Sequence, residues 1–289
     1  MDAARPNMRS LNLARRLIYV LMAAVVVTPF VLRYFIAIPL PIIPSNEARR
    51  VYDKVNSIKP GGHVLLAFDF EPSSEAELRP MARALMLHCF RNGLVPVVMT
   101  HWPGGLNMDK DICERAAAEA QKLYGRQFIS GRDWVLLGFR PGGSNLVLHM
   151  GVNLKGDFPT DVYGQSTASM PALAGVTSLK DMNVVVDLAA GSTVEMWIVY
   201  GSDRLGFPLA AGTTAVMAPD LIPFVNSGQL VGYLGGLRGA ADYETLVNAP
   251  GLATSGMLAQ SAVHVMMALL IIGANVVMFM ALRSRKGRD

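Results

Sequence analysis

The sequence predicts an α/β protein: a Rossmann-like layered domain with a mainly parallel sheet of about five strands, flanked by one transmembrane helix at each end. Three observations predict this fold. Apolar runs alternate with amphipathic helices through the middle of the chain. These runs are nearly continuous, which is typical of parallel strands that helices cover on both faces. Two longer apolar stretches, one near each end, reach the roughly 20 residues that a bilayer-spanning helix needs.

The composition favours a membrane protein over one that binds nucleic acid. The 289 residues carry a formal net charge of only +4, and the mean hydropathy of +0.33 is high for a soluble protein. The basic residues gather at the two chain ends rather than on an internal face. We therefore expect the lipid bilayer as a partner and no nucleic acid.

The first segments predict a basic cytoplasmic N-terminus (1–16) and a transmembrane helix (17–38). Residues 17–32 contain no charged side chain, and Pro39 and Pro41 prevent the helix from continuing. A cleaved signal peptide is the alternative, because a basic segment before an apolar one is also its pattern. No small-x-small cleavage site follows promptly, which favours the membrane helix.

The middle of the chain opens with a βαβ unit, the building block of a parallel sheet. Residues 64–70 and 95–99 read as buried strands, and residues 75–92 as the helix between them. Ser74 and Glu77 have the spacing of a capping box at the start of this helix.

Further strands and helices continue the alternation. In chain order they are a helix over 109–124, a strand over 134–139, a short helix over 145–154, a strand over 183–188, a helix from Ser192 and a strand over 209–217. Together with the βαβ unit they place the extracytoplasmic α/β domain at residues 45–256.

The C-terminal part predicts a second transmembrane helix (262–282) and a basic cytoplasmic tail (283–289). Because both chain ends are basic beside a span, the positive-inside rule places both in the cytoplasm. We expect an integral protein of the bacterial inner membrane with the α/β domain on the extracytoplasmic side.

A glycine-dense run over 226–241 lies between the last predicted strand and the second span. Its glycines are Gly228, Gly232, Gly235, Gly236 and Gly239. Small residues permit close approach of two backbones, so these glycines could form the contact surface of a neighbouring subunit. A tightly wound loop inside the same domain is the equal alternative.

Polar residues follow several predicted strands, and these are candidates for a ligand-binding pocket. They are Asp69, His101, Arg140 and Asp187. Ligands of open parallel sheets bind outside the carboxyl ends of the strands. His101 would then carry a proton and Arg140 would hold an anion. The competing interpretation is favoured: strand ends are polar because the chain turns in water there.

Motifs with an established chemistry are missing from the sequence. There is no P-loop, no G-x-G-x-x-G after the first strand, no G-x-S-x-G and no H-E-x-x-H. We predict no cofactor, no metal site and no catalytic residue. The two cysteines, Cys89 and Cys113, form no C-x-x-C motif, and we interpret them as small buried apolar residues rather than a disulfide or reactive thiols.

Two segments carry a resemblance: FDFEPSSEAELRPMA near the first core helix and SGQLVGYLGGLRGAADYE before the last span. Through them the chain resembles uncharacterised bacterial two-span membrane proteins with an extracytoplasmic α/β domain. The resemblance covers most of the chain and implies no established activity.

From these observations we expect a membrane-anchored structural or scaffold subunit rather than an enzyme. It would assemble with itself into a homo-oligomer, with other membrane proteins as a further option. The alternative is a small-ligand-binding or hydrolytic domain with its pocket at the carboxyl ends of the strands.

Overall fold

The computed structural model describes residues 8–32 and 42–286 of the chain. The chain divides into an α/β unit, Ile42–Thr254, and a second unit that holds the two terminal helical segments. The strands are β1 (His63–Asp69), β2 (Val95–Thr100), β3 (Val135–Phe139), β4 (Val184–Ala189), β5 (Leu209–Thr213) and β6 (Tyr233–Gly235). The helices are α1 (Met8–Leu32), α2 (Asn46–Asn56), α3 (Glu75–Arg91), α4 (Leu106–Tyr124), α5 (Ser144–Asp157), α6 (Thr193–Met196), α7 (Asp203–Leu205), α8 (Ile222–Asn226), α9 (Gly236–Leu246) and α10 (Leu252–Lys286).

The six strands form one all-parallel sheet in the order β3-β2-β1-β4-β5-β6. The α/β fold with a parallel sheet is therefore as predicted, with one strand more than expected. The additional strand, β6, has three residues and lies in the glycine-dense run, where it is too short to leave an apolar pattern. The strand order changes direction at β1, which pairs with both β2 and β4.

Helices cover both faces of the sheet, as the apolar strands predict. On one face α3 packs against the strands and touches α4 and α9. On the other face the side chains of Leu65, Val97 and Val185 form a core with α5 and with Trp197. Burial of apolar area in these two layers is the main stabilising contribution to such a fold.

The predicted capping box at the start of α3 does not form. A 3-10 turn over Pro72–Ser74 precedes the helix, and the Ser74 side chain caps no backbone N–H. Glu77 instead accepts a hydrogen bond from the backbone N–H of Ala215 at 2.8 Å. The carboxylate ties α3 to the segment after β5, a partner that local spacing could not reveal.

Two helices are long and apolar enough to cross a membrane, with windows over Arg15–Leu32 and Leu252–Arg283. The last part of the predicted first span, 33–38, lies outside the described residues, as do parts of both basic ends. The second helix begins ten residues before the predicted start of its span. The buried carboxylate of Glu244 explains this, because it accepts the backbone N–H groups of Gly251 at 2.8 Å and Thr254 at 2.9 Å and so caps the first turn of α10.

Four of the five glycines predicted as an oligomer contact pack inside the α/β unit. A Cβ at Gly232 would overlap the carbonyl oxygen of Glu47 on α2. A Cβ would lie 2.8 Å from Ala218 at Gly235, 2.7 Å from Ala215 at Gly236 and 2.7 Å from the backbone of Leu234 at Gly239. Only at Gly228, with φ +80°, would a side chain meet open space. The homo-oligomer stays a prediction, and the interior alternative gains support for these four positions.

We expect the double substitution of Gly235 and Gly236 by Val to destabilise the domain. Gly236 has φ +59°, a region that β-branched residues avoid, and both new side chains would overlap their neighbours. A loss of about 4 kcal/mol or more is expected from strain and overpacking together, which corresponds to a melting temperature lower by about 10 °C. Thermal unfolding of the full chain in detergent measures it.

Gly228→Val is the matched control, because it adds the same side chain at positive φ without a steric overlap. It should cost only about 1–2 kcal/mol. A double variant that melts like the wild type while the particle mass falls would instead show that Gly235 and Gly236 form a subunit contact.

Candidate functional site

The point where β1 lies between β2 and β4 brings together three of the four sequence-predicted pocket residues. Asp69 ends β1, Asp187 lies in β4, and His101 follows β2 directly. Both aspartates are fully buried, and the His101 side chain is 6% exposed. This is the topological switch point of the sheet, where proteins of this architecture commonly bind ligands.

Asp69 lies at the centre of the cluster. Its Oδ1 accepts the backbone N–H of His101 at 2.7 Å, and its Oδ2 accepts the Nδ1–H of the same residue at 2.9 Å. The indole N–H of Trp197 donates to Oδ2 at 3.5 Å. Because a carboxylate oxygen accepts hydrogen bonds, Nδ1 of His101 is the donor in this contact. The Nε2 atom is buried and has no hydrogen-bond partner among the described residues.

Two further residues hold this pair in place: Thr100, which ends β2, and Trp197, which the sequence did not indicate as a site residue. The Thr100 hydroxyl donates to the carbonyl oxygen of Phe68 at 2.7 Å and accepts the backbone N–H of Trp102 at 2.9 Å, which shapes the turn around His101. The Trp197 ring meets the His101 ring edge-on at 5.6 Å between centroids. Trp197 opens a π-helix, Trp197–Ser202, a rare geometry that is frequent at functional sites. In the sequence, a threonine at the end of an apolar strand indicates a polar site. No sequence pattern indicates the π-helix.

Asp187 and Asp109 add two carboxyl groups beside Asp69. Burial, and then the negative charge of Asp69, raise the pKa of Asp187 well above its ordinary value. The same causes in the same order raise the pKa of Asp109 to about 8. Both are therefore neutral acids at neutral pH, which lets three carboxyl groups share one buried region. Asp109 lies on the buried face of α4 with Ile112 and Cys113, so its helical spacing could have identified it.

A cavity of about 120 Å³ adjoins the cluster. It is lined by Asp69, Phe70, Glu71, Ser73, Ser74, Trp102 and Ala190. Trp102 is 37% exposed, so an aromatic face is available there. The polar groups of the lining side chains are two carboxylates, two hydroxyls and the indole N–H of Trp102.

Arg140, the fourth predicted pocket residue, lies elsewhere. Its Nε donates to the backbone oxygen of Asp157 at 2.5 Å, and its guanidinium lies 5.9 Å from the centre of the Phe158 ring. The predicted anion clamp is therefore absent from the cavity, because the loop after β3 directs Arg140 toward the end of α5.

Within the described residues, no group of three or more His, Cys, Asp or Glu side chains is placed to hold a metal ion. Cys89 and Cys113 are buried and not joined in a disulfide. Burial raises the pKa of the Cys89 thiol to about 12 and that of Cys113 well above its ordinary value. Both thiols are thus kept protonated and weakly nucleophilic.

Comparison with known proteins finds no matching family model, no matching curated protein and no matching solved structure.

We expect Asp109→Asn to remove part of the pH dependence of stability. The folded carboxyl has a pKa of about 8, whereas its unfolded value is near 4. The folded state thus binds one more proton between these values, and the stabilisation present below about pH 4 is lost as the pH rises to about 8. Between pH 5 and 8 this amounts to roughly 3–4 kcal/mol, or about 10 °C in melting temperature, measured by unfolding of both proteins at the two pH values.

Asp111→Asn on the same helix is the control. Its carboxylate pairs with Arg115 and Arg79, which holds its pKa below the ordinary value, so it is ionised in both states above pH 5 and should leave this interval unchanged. An Asp109→Asn variant with the wild-type pH dependence would contradict the assignment.

Proposed function

We propose that the chain is a membrane-anchored binding domain whose cavity at the carboxyl ends of the central strands takes a small cationic ligand, an amine in its ammonium form. The observation that carries this proposal is Asp69, a fully buried carboxylate that lines the cavity and is oriented by His101. This is the ligand-binding alternative that the sequence offers, but the ligand carries a positive charge instead of the negative charge expected there.

The charge of the cavity supports a cation. Arg140, the one basic residue assigned to the pocket, binds Asp157 instead, and no basic side chain lines the cavity. Asp69 and Glu71 supply acceptors with negative charge. An ammonium group can donate to Glu71, and the charge of Asp69 beside the cavity attracts it; a charge-assisted hydrogen bond is stronger than a neutral one.

The shape of the cavity supports a small ligand with a short apolar part. A volume of about 120 Å³ leaves room for a ligand of a few non-hydrogen atoms. The ring of Trp102 offers a face to a cation, an interaction worth roughly 0.5–2 kcal/mol. The hydroxyl groups of Ser73 and Ser74 offer further acceptors.

Titration calorimetry of the full chain in non-ionic detergent tests the proposal with three probes of similar size: propylammonium, propanol and propionate. We expect millimolar binding of propylammonium and at least about tenfold weaker binding of the other two. Glu71→Gln should weaken propylammonium binding by roughly tenfold while keeping the shape of the side chain.

Glu75→Gln is the matched control, because Glu75 is near in sequence but pairs with Arg79 on the helix and does not line the cavity. It should bind propylammonium like the wild type. Equal affinity for propylammonium and propionate, or a Glu71→Gln variant with wild-type affinity, would refute a cation site.

The membrane topology belongs to the same proposal. Two helices of spanning length and composition flank the α/β unit in sequence, and basic residues lie beyond both of them. Under the positive-inside rule both termini are cytoplasmic, and the binding domain faces the extracytoplasmic side of a bacterial inner membrane. The cavity would then sample ligands outside the cytoplasm.

Thiol labelling of intact cells tests this topology. In a chain with Cys89 and Cys113 replaced by Ala, an Ala168→Cys variant should react with a membrane-impermeant maleimide, because Ala168 is exposed on the α/β unit. A Ser284→Cys variant should react only after lysis. The reverse pattern would place the domain in the cytoplasm.

A further inference from the structure

A second cavity, of about 270 Å³, lies at the β6 end of the sheet. Residues of α2, β6 and α9 form its walls, with Ser45 and Ala218 completing them. Its polar side chains include Glu47, Tyr233, Arg238 and Asp242. None of these residues lines the first cavity, so the two are separate places in the fold.

A buried carboxylate fixes the basic residue of this cavity. Asp242 has no solvent exposure, and it accepts the backbone N–H of Ser45 at 3.0 Å and the Nε–H of Arg238 at 2.7 Å. The Nη2 of Arg238 donates to the carbonyl oxygen of Ile43 at 2.8 Å. Two of the three guanidinium nitrogens are thus held by the protein, and the position of the third follows from the planarity of the group.

Three polar groups of the cavity are left without a hydrogen bond from any described residue. They are Nη1 of Arg238, the Glu47 carboxylate and the Tyr233 hydroxyl. Burial, with a smaller contribution from the charge of Glu47, raises the pKa of Tyr233, so its hydroxyl remains a donor and an acceptor. The cavity therefore offers one donor with positive charge and one acceptor with negative charge.

We infer that this cavity binds a small zwitterion, with an ammonium group toward Glu47 and an anionic oxygen toward Nη1 of Arg238. The Arg238–Asp242 pair balances its own charge, so a positive group in the ligand would face the charge of Glu47. The Arg238 side chain is 54% exposed, and its Nη1–H can donate to an anionic oxygen of the ligand. A ligand with only one of these groups leaves the other site unpaired.

Two glycines of the run, Gly235 and Gly239, are part of the cavity lining. A Cβ would lie 2.8 Å from the Ala218 side chain at Gly235 and 2.7 Å from the Leu234 backbone at Gly239, so both positions also pack closely against their neighbours.

The same chemistry occurs in a free aminophosphate and in an aminophospholipid headgroup. The cavity walls come from the segments that lie next in sequence to the two apolar helices: Ser45 and Glu47 follow the first, and α9 precedes the second. The connection of these segments to the apolar helices favours a lipid headgroup as the ligand. The experiment distinguishes a headgroup from a soluble ligand.

Calorimetry with O-phosphoethanolamine as the probe tests the inference on the full chain. We expect millimolar binding in detergent, and at least about tenfold weaker binding of ethanolamine and of inorganic phosphate, which each carry one of the two groups. Glu47→Gln should weaken O-phosphoethanolamine binding by roughly tenfold, and Tyr233→Phe by a smaller factor. Asp53→Asn, an exposed carboxylate on the same helix, and Glu71→Gln in the first cavity should leave it unchanged.

Repeating the measurement in nanodiscs identifies the source of the ligand. Loss of probe binding in phosphatidylethanolamine discs, with retention in phosphatidylcholine discs, supports a headgroup in the cavity. Retention in both supports a soluble zwitterion. Absence of binding in detergent up to about 10 mM, or wild-type affinity of Glu47→Gln, would overturn the inference. Because Glu71→Gln reports on the first cavity alone, failure of one site is distinguishable from failure of the other.

Discussion

The burial of Asp69 is the constraint on which the centre of this fold depends. A carboxylate without solvent exposure is costly unless the protein supplies its hydrogen bonds, and here three N–H groups from two other segments do so. Two donors belong to His101 after β2, and one to Trp197 in the π-helix after β4. The segments that follow three neighbouring strands therefore meet at the Asp69 carboxylate. These contacts fix the position of the His101 ring beside the cavity.

The protonation of the surrounding acids follows from that constraint. Burial, and then the charge of Asp69, raise the pKa values of Asp187 and Asp109, so both keep their protons. The cluster then carries less negative charge than its three carboxyl groups suggest. What remains toward the cavity is the charge of Asp69 and Glu71, without a basic residue to balance it. This balance of charge, with Asp69 at its centre, is what favours a cationic ligand.

Carboxylates also organise the far side of the domain. Glu77 holds the segment after β5, Glu244 caps the start of α10, and Asp242 joins the beginning of α2 to α9. Each accepts a backbone N–H from a segment outside its own helix. Each therefore links two segments of the fold. The glycines of the run between β5 and α10 serve these connections by allowing close backbone approach. The second cavity is a consequence of how they meet.

The sequence by itself determined the fold class, the five longest strands, α3 and α4, and the two apolar terminal helices, because periodicity and apolar run length are local signals. It also indicated that Asp69, His101 and Asp187 lie close together, since strand ends of a parallel sheet meet at one edge; their role as a ligand site stays a prediction. Only the tertiary structure decided that Arg140 turns away, that Glu77 binds Ala215 and not Ser74, and that Asp109 and Trp197 join the site. The contacts of Arg140, Trp197 and Glu77 join residues 17, 128 and 138 positions apart, and the energies of such contacts leave no local pattern in a chain. The short strand β6 was hidden for the same reason: its pairing with β5, not its three residues, makes it a strand.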